Sequence, residues 1–257
     1  MHPALTIVPI ALMAFGVGFA TQRGSICGLL AARQFAETGR TSRLAAFVTA
    51  SLWALVLAVP LCWLTGNAAI LSPSFEVSAV AVLIVAAGFA CLALAGIARA
   101  HRRAGLRIGQ VLRASRWRTS LAMMIIGVLG GLLFATGMPW SYPALLKQLG
   151  NSIWGQEVVF ALPVIVGPVA LFAGAITAAA AGGRFALRPF AGVQLARSLA
   201  GGAVMGFATI LIPGGNDRLL LSALPSLAMH GAVAYFAMLG VQIFLCMVST
   251  RLKQRNS

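Results

Sequence analysis

Long apolar runs separated by short polar stretches dominate the chain, and seven of them are candidate membrane segments. They fall at about 4–21, 43–65, 77–98, 120–136, 157–181, 200–213 and 227–249. Roughly 20 apolar residues in a helix match a hydrocarbon core of about 30 Å. A membrane β-barrel would instead show alternating segments of about ten residues. Short helices are expected after the first and fourth runs, near 26–37 and 141–149. The sixth run is short for a crossing. It breaks at Pro213–Asp217 ("PGGND") and resumes as a brief apolar segment.

Polar positions orient the runs. Arg23, Arg33, Arg40 and Arg43 follow the first, and a dense arginine cluster from Arg99 to Arg118 follows the third. Arg184, Arg188 and Arg197 follow the fifth, and Arg251, Lys253 and Arg255 close the chain. Of the 19 basic residues, only Lys147 and Arg218 fall on the other side. Basic loops stay in the cytoplasm, so the N-terminus is expected outside and the C-terminus in the cytoplasm, in a bacterial inner membrane. Residues 1–8 lack Lys and Arg, which argues against a cleavable signal peptide.

The chain repeats itself. "FATQRGSICGLLAARQF" from Phe19 resembles "FATGMPWSYPALLKQL" from Phe134, and "GFACLALAG" from Gly88 resembles "GFATILIPG" from Gly206. The two matches occur in order and at nearly one offset. Three runs per repeat is an odd number, so the halves, about 1–118 and 119–225, must be inverted relative to each other. The last helix, about 226–250, is an addition to an otherwise single transmembrane domain.

Composition agrees. Of the 257 residues 60% are hydrophobic and 9% charged, with mean hydropathy +0.94; soluble domains carry about 25% charged residues. The formal charge of +15 is the positive-inside signal, and no soluble segment is long enough to read nucleic acid. Four acidic residues, no nucleophile triad, no paired carboxylates and no P-loop argue against an enzyme. No metal or other cofactor is expected. Cys27, Cys62, Cys91 and Cys246 form no C-x-x-C pair, and the last three lie in apolar runs, where cysteine packs as a small hydrophobe.

Three polar islands interrupt the oil. In "GFATQRGSICG" (Gly18–Gly28), Gln22, Arg23, Gly24 and Cys27 come together. Arg23 offers a fork of donors suited to an oxyanion. The glycines let the backbone turn, and a helix N-terminus beside Cys27 favours an anion and a thiolate. The plain alternative makes Arg23 a topological anchor and Cys27 filler. In the second island, Gly214, Gly215, Asn216 and Asp217 mark a broken helix, as at transporter sites, or else an exposed turn with Asp217 paired to Arg218. In the third, "MPWSYP", Tyr142 takes the place of Cys27 in the repeat, and Trp140 and Tyr142 are equally typical interface aromatics.

The pattern G-F-x-x-Q-R-G-x-x-C, here Gly18 to Cys27, resembles the first motif of the YeeE/YedE family of membrane proteins, linked to sulfur and thiosulfate transport. "GGAVMGFATILIPGGND" from Gly201 resembles that family's second-half stretch, and "ALAG" (Ala93–Gly96) its first-half version. The resemblance covers most of this short chain. It implies an all-helical inverted repeat with short helices pointing at the membrane centre, and cysteines that relay an anion through weak S–H contacts. Cys27 matches the first such cysteine. Ile97 and Asn216 stand where others would be, so a full relay is absent. The implied function is transport of a small sulfur-containing, thiosulfate-like anion, with Gln22, Arg23, Gly24, Cys27, Gly214, Gly215 and Asn216 as contacts and Asp217 and Tyr142 behind them. The alternative is a membrane binding or accessory protein that keeps the fold without transport; a redox enzyme using Cys27 lacks a resolving cysteine. The partners are the lipid bilayer and the anion, with a small sulfur-carrier protein or a second copy of the chain as further candidates.

The charge asymmetry makes the topology testable. Arg107→Cys should react with an impermeant thiol reagent only from the cytoplasmic face, and Ser72→Cys only from outside. Labelling of Arg107→Cys in intact cells contradicts the assignment.

Overall fold

The computed structural model describes residues 3–64, 88, 91, 113–138, 140–153, 155, 160–183, 185–186, 192–211, 219–223 and 229–255. Among them the fold is all-helical. The helices are α1 (Pro3–Gly24), α2 (Gly28–Thr38), α3 (Ser42–Leu64), α4 (Thr119–Ala135), α5 (Tyr142–Ile153), α6 (Leu162–Ala181), α7 (Gly192–Leu211) and α8 (Met229–Arg255). A single π-helical turn, Leu219–Ala223, precedes α8. Four described segments are long and apolar enough to cross a membrane: Ile7–Thr38, Ser42–Cys62, Leu162–Ala181 and Gly231–Leu252. The run expected at 77–98 and the break at Pro213–Asp217 lie outside the described residues, apart from Gly88 and Cys91.

Small residues decide how these helices meet. Lipid gives apolar helices no hydrophobic reason to associate, so close van der Waals contact at small side chains must do it. On α3, Ala46, Ala50, Ala54, Ala58 and Cys62 recur every fourth position, and all are buried. On α4, Met123, Gly127, Gly131 and Ala135 do the same. The stripes face each other: Gly127 lies against the Ala50 carbonyl and Gly131 against Ala54. Both numbers rise together, so α3 and α4 run parallel. A second tight pair joins α1 and α6, where Gly18 meets the Leu171 backbone and Gly174 the backbone of Phe15 and Phe19.

The central helix is α4. Gly16 of α1 meets Leu129, and Gly24 meets Ala122; one number rises as the other falls, so α1 and α4 are antiparallel. At 17 residues α4 spans about 26 Å, and α1 and α3 both pack on it. The π turn wedges into the same core: Leu219, Leu220 and Leu221 are buried, Leu221 packs over Gly130, and the Ser51 hydroxyl donates to the Leu220 carbonyl at 2.9 Å.

Two expectations change. α7 begins at Gly192, not near 200, because Gln194, Ala196 and Arg197 are good helix formers that extend the helix beyond its apolar window. Cys62 and Cys246 are buried as small core residues, but Cys91 is exposed.

The helix contacts predict a position-specific response to one methyl group. At Gly131 a Cβ would stand 2.6 Å from the Ala54 carbonyl oxygen, whereas at Gly240 it would meet nothing within 4 Å. Gly131→Ala should therefore lower the thermal midpoint of the purified protein, at an overpacking cost of about 1–3 kcal/mol, and Gly240→Ala should not. Equal midpoints would remove the close approach of α3 and α4 as a determinant.

Candidate anion site at the junction of the first two helices

α1 ends in two hydrogen bonds. The Ser25 N–H donates to the Gln22 carbonyl at 3.2 Å and the Ile26 N–H to the Thr21 carbonyl at 3.0 Å. This is a Schellman cap, which needs a left-handed residue, and Ser25 takes that role with φ of 48°. Gly24 is therefore not the turning residue expected from the sequence. It is a glycine because a Cβ there would lie 2.5 Å from the Cβ of Ala122, which fixes the end of α1 against the start of α4.

Cys27 follows in extended conformation (φ −150°, ψ 130°) and caps α2 without a side-chain capping bond. Its carbonyl accepts the Ala31 N–H at 3.1 Å. The Gly28, Leu29 and Leu30 N–H groups thus have no acceptor within the helix, which leaves partial positive charge at this end. The Cys27 thiol is exposed. Gly28 opens the helix and makes no left-handed turn. A Cβ on it would come within 3.2 Å of Oε1 of Gln242 on α8.

Arg23 turns inward. It is only 5% exposed. Nη1 donates to the Ala114 carbonyl at 2.6 Å, and the guanidinium lies 5.2 Å from the centroid of the Phe19 ring. Phe19 in turn packs on Trp117, centroids 5.6 Å apart, and the Trp117 N–H donates to the Arg23 carbonyl at 3.0 Å. One residue so ties α1 to the segment that starts α4. Its Nε is buried without an acceptor, and among the described residues no carboxylate lies within ion-pair distance of it. The described ion pair is the exposed Arg33–Glu37 pair on α2, at 2.6 Å. A buried guanidinium held, among the described residues, by a carbonyl and a ring retains attraction for an anion.

The expected residues separate accordingly. Gln22 and Cys27 are exposed, while Arg23 and Gly24 are buried. Among the described residues no hydrogen bond joins the side chains of Gln22, Arg23 and Cys27. Tyr142 is the first residue of α5 and is partly buried. Gly214, Gly215, Asn216 and Asp217 lie outside the described residues, and the π turn that starts at Leu219 is seated in the core.

Further buried polar atoms without partners among the described residues are Oε1 of Gln34, Nε1 of Trp53, Oε1 of Gln148, the hydroxyl of Tyr235 and Oε1 of Gln242. None of these residues stood out in the sequence analysis. The signal for Gln242 was present: it is a lone amide at the middle of the Gly231–Leu252 span. Tyr235 and Trp53 carry no comparable mark, because aromatic residues in apolar helices are ordinary.

Among the described residues the chain is all-helical, with four long apolar segments and a buried arginine that has no carboxylate beside it, and this defines a polytopic membrane protein. A family model described as sulphur transport matches residues 6–243, and the chain belongs to that family, the YeeE/YedE family. No curated protein and no solved structure matches the chain.

Thiol exposure gives a direct check of this geometry. A variant whose only cysteine is Cys27 should be modified by a maleimide in its native state. One whose only cysteine is Cys62 should be modified only after denaturation. Similar native rates, read by mass, contradict the placement of these residues.

Proposed function

We propose that the protein carries a small sulfur-containing, thiosulfate-like anion across a bacterial inner membrane along a narrow central path. Sulphur transport as the family's business supports this at the level of class. The observation that carries it toward an anion is Arg23, a buried cation with a donor to spare and no carboxylate beside it in the described structure. In this reading Arg23 draws the anion in, and Gln22, Gly24, the Cys27 thiol and the N-terminus of α2 receive it. Gly214, Gly215 and Asn216 supply neutral donors from the second half. Asp217 would repel an anion as a direct contact and serves to orient its neighbours or to pair with an arginine, and Tyr142 stands behind the path.

The physical demand is desolvation. An anion stripped of water in hydrocarbon needs replacement donors, yet it must leave again. Thiols, amides and backbone N–H groups bind weakly enough for release, whereas a ring of arginines would hold it. An inverted repeat places such groups from both halves on one axis. The pairing of α1 with α6 and of α4 with α3, around an antiparallel α1–α4 contact, supports that arrangement. Each pairing joins the first helix of one half to the third of the other. Loss of the family's further cysteines, with Ile97 and Asn216 in their places, supports the second reading, an accessory protein that binds without transporting.

Cells lacking other uptake routes for sulfur anions decide between the two. Uptake of ³⁵S-labelled thiosulfate should depend on the protein. Cys27→Ala and Asn216→Leu should each reduce uptake by about tenfold or more, the expected effect of removing a contact to a charged group, with normal accumulation in the membrane. Asn216→Cys should retain uptake. No uptake above background for thiosulfate, sulfite or sulfate contradicts transport and leaves the accessory reading.

A further inference from the structure

α8 lies outside both halves of the repeat, yet it packs against α2, which Cys27 caps, and against the π turn that follows the second island. The side of α8 turned inward is not wholly apolar. Tyr235 is 4% exposed and its hydroxyl has no partner among the described residues. Gln242 is seven residues further on, two helical turns away and so on the same face. Its Oε1 is buried without a partner and stands beside Gly28 at the start of α2.

Such groups are costly in this setting. A buried hydroxyl or amide without a partner forfeits the hydrogen bonds it makes to water, and in a membrane interior no bulk water is at hand to restore them. Phe and Leu would fill the same positions without that loss. A polar pair on one face of an apolar span, Tyr235 near its start and Gln242 at its middle, packed against α2 and the π turn, is therefore fitted to a polar passenger.

We infer that Tyr235 and Gln242 line the anion's passage and are specificity-determining contacts contributed by α8. This rests on the transport reading given above. The amide carbonyl of Gln242 faces the positive end of α2, which leaves its NH₂ to donate to the passing anion. The Tyr235 hydroxyl donates one further hydrogen bond two turns away. Both are neutral, so they discriminate by the number and placement of acceptor oxygens and not by charge alone. The substrate class is a small oxyanion presenting several acceptors.

The test uses the full-length protein in the same uptake cells, with half-saturation and maximal rate measured separately, and the thermal midpoint of each purified variant. Tyr235→Phe should raise the half-saturation concentration for thiosulfate by about tenfold, the effect of one lost bond to a charged group. Its midpoint should be equal or higher, because the deleted hydroxyl had no protein partner. Gln242→Glu should abolish uptake by repulsion, and Gln242→Asn should keep part of it. If Gln242→Glu fails to accumulate, Tyr235→Phe and Gln242→Asn carry the test. Wild-type half-saturation in these variants overturns the inference while transport stands, as does a loss of maximal rate that merely follows a lowered midpoint. Absence of uptake by the wild-type protein overturns the transport reading and this inference with it.

Discussion

Backbone meets backbone in this protein, and the rest of the arrangement depends on it. Gly127 and Gly131 admit the main chain of α3 at Ala50 and Ala54, and Gly18 and Gly174 admit that of α1 and α6. Larger residues at these positions would separate the helices by the width of a side chain. In lipid no hydrophobic force would restore the contact. The result is a rigid core around α4, the short helix at its centre. Rigidity matters for the proposed function, because a path of the kind proposed would have to hold its donors at fixed spacing.

Polar groups are placed against that core with little redundancy. Arg23 couples three things at once: the end of α1, the aromatic pair Phe19–Trp117 and the segment before α4. Its carbonyl and ring contacts offset part of the cost of burying a guanidinium, and the remaining unpaired Nε keeps it receptive to negative charge. Four residues later Cys27 stands exposed at the start of a helix whose first N–H groups have no intrahelical acceptor. In the proposed function this inward cation draws the anion and the outward thiol hands it on through weak neutral contacts.

Much of this was legible in the sequence, for definite reasons. Hydropathy located α3 within a residue at each end (43–65 against Ser42–Leu64), because both boundaries coincide with an abrupt change in polarity. It missed the start of α7, where polar helix formers hide the first turns. The motif from Gln22 to Cys27 was visible as a polar cluster, but the reason for Gly24 was not. That reason is Ala122, a partner far along the chain, and no local pattern encodes a tertiary contact. The same holds for the Ala114 carbonyl that holds Arg23. The Schellman cap was hidden because serine, not glycine, takes the left-handed position. Tyr235 became a candidate only when its lack of a partner could be seen, whereas Gln242 carries a signal in the sequence as a lone amide in an apolar span. The second island, including Asn216, lies outside the described residues.

The central claim is that this protein moves a sulfur-containing anion past Cys27. Flux of ³⁵S-thiosulfate into vesicles reconstituted with purified protein, bearing Cys27 as its only cysteine, tests it most directly. The account predicts accumulation above that of protein-free vesicles, abolished when Cys27 is modified by a maleimide and slowed modification when thiosulfate is present. Flux equal to empty vesicles, or flux indifferent to modification of Cys27, would contradict it.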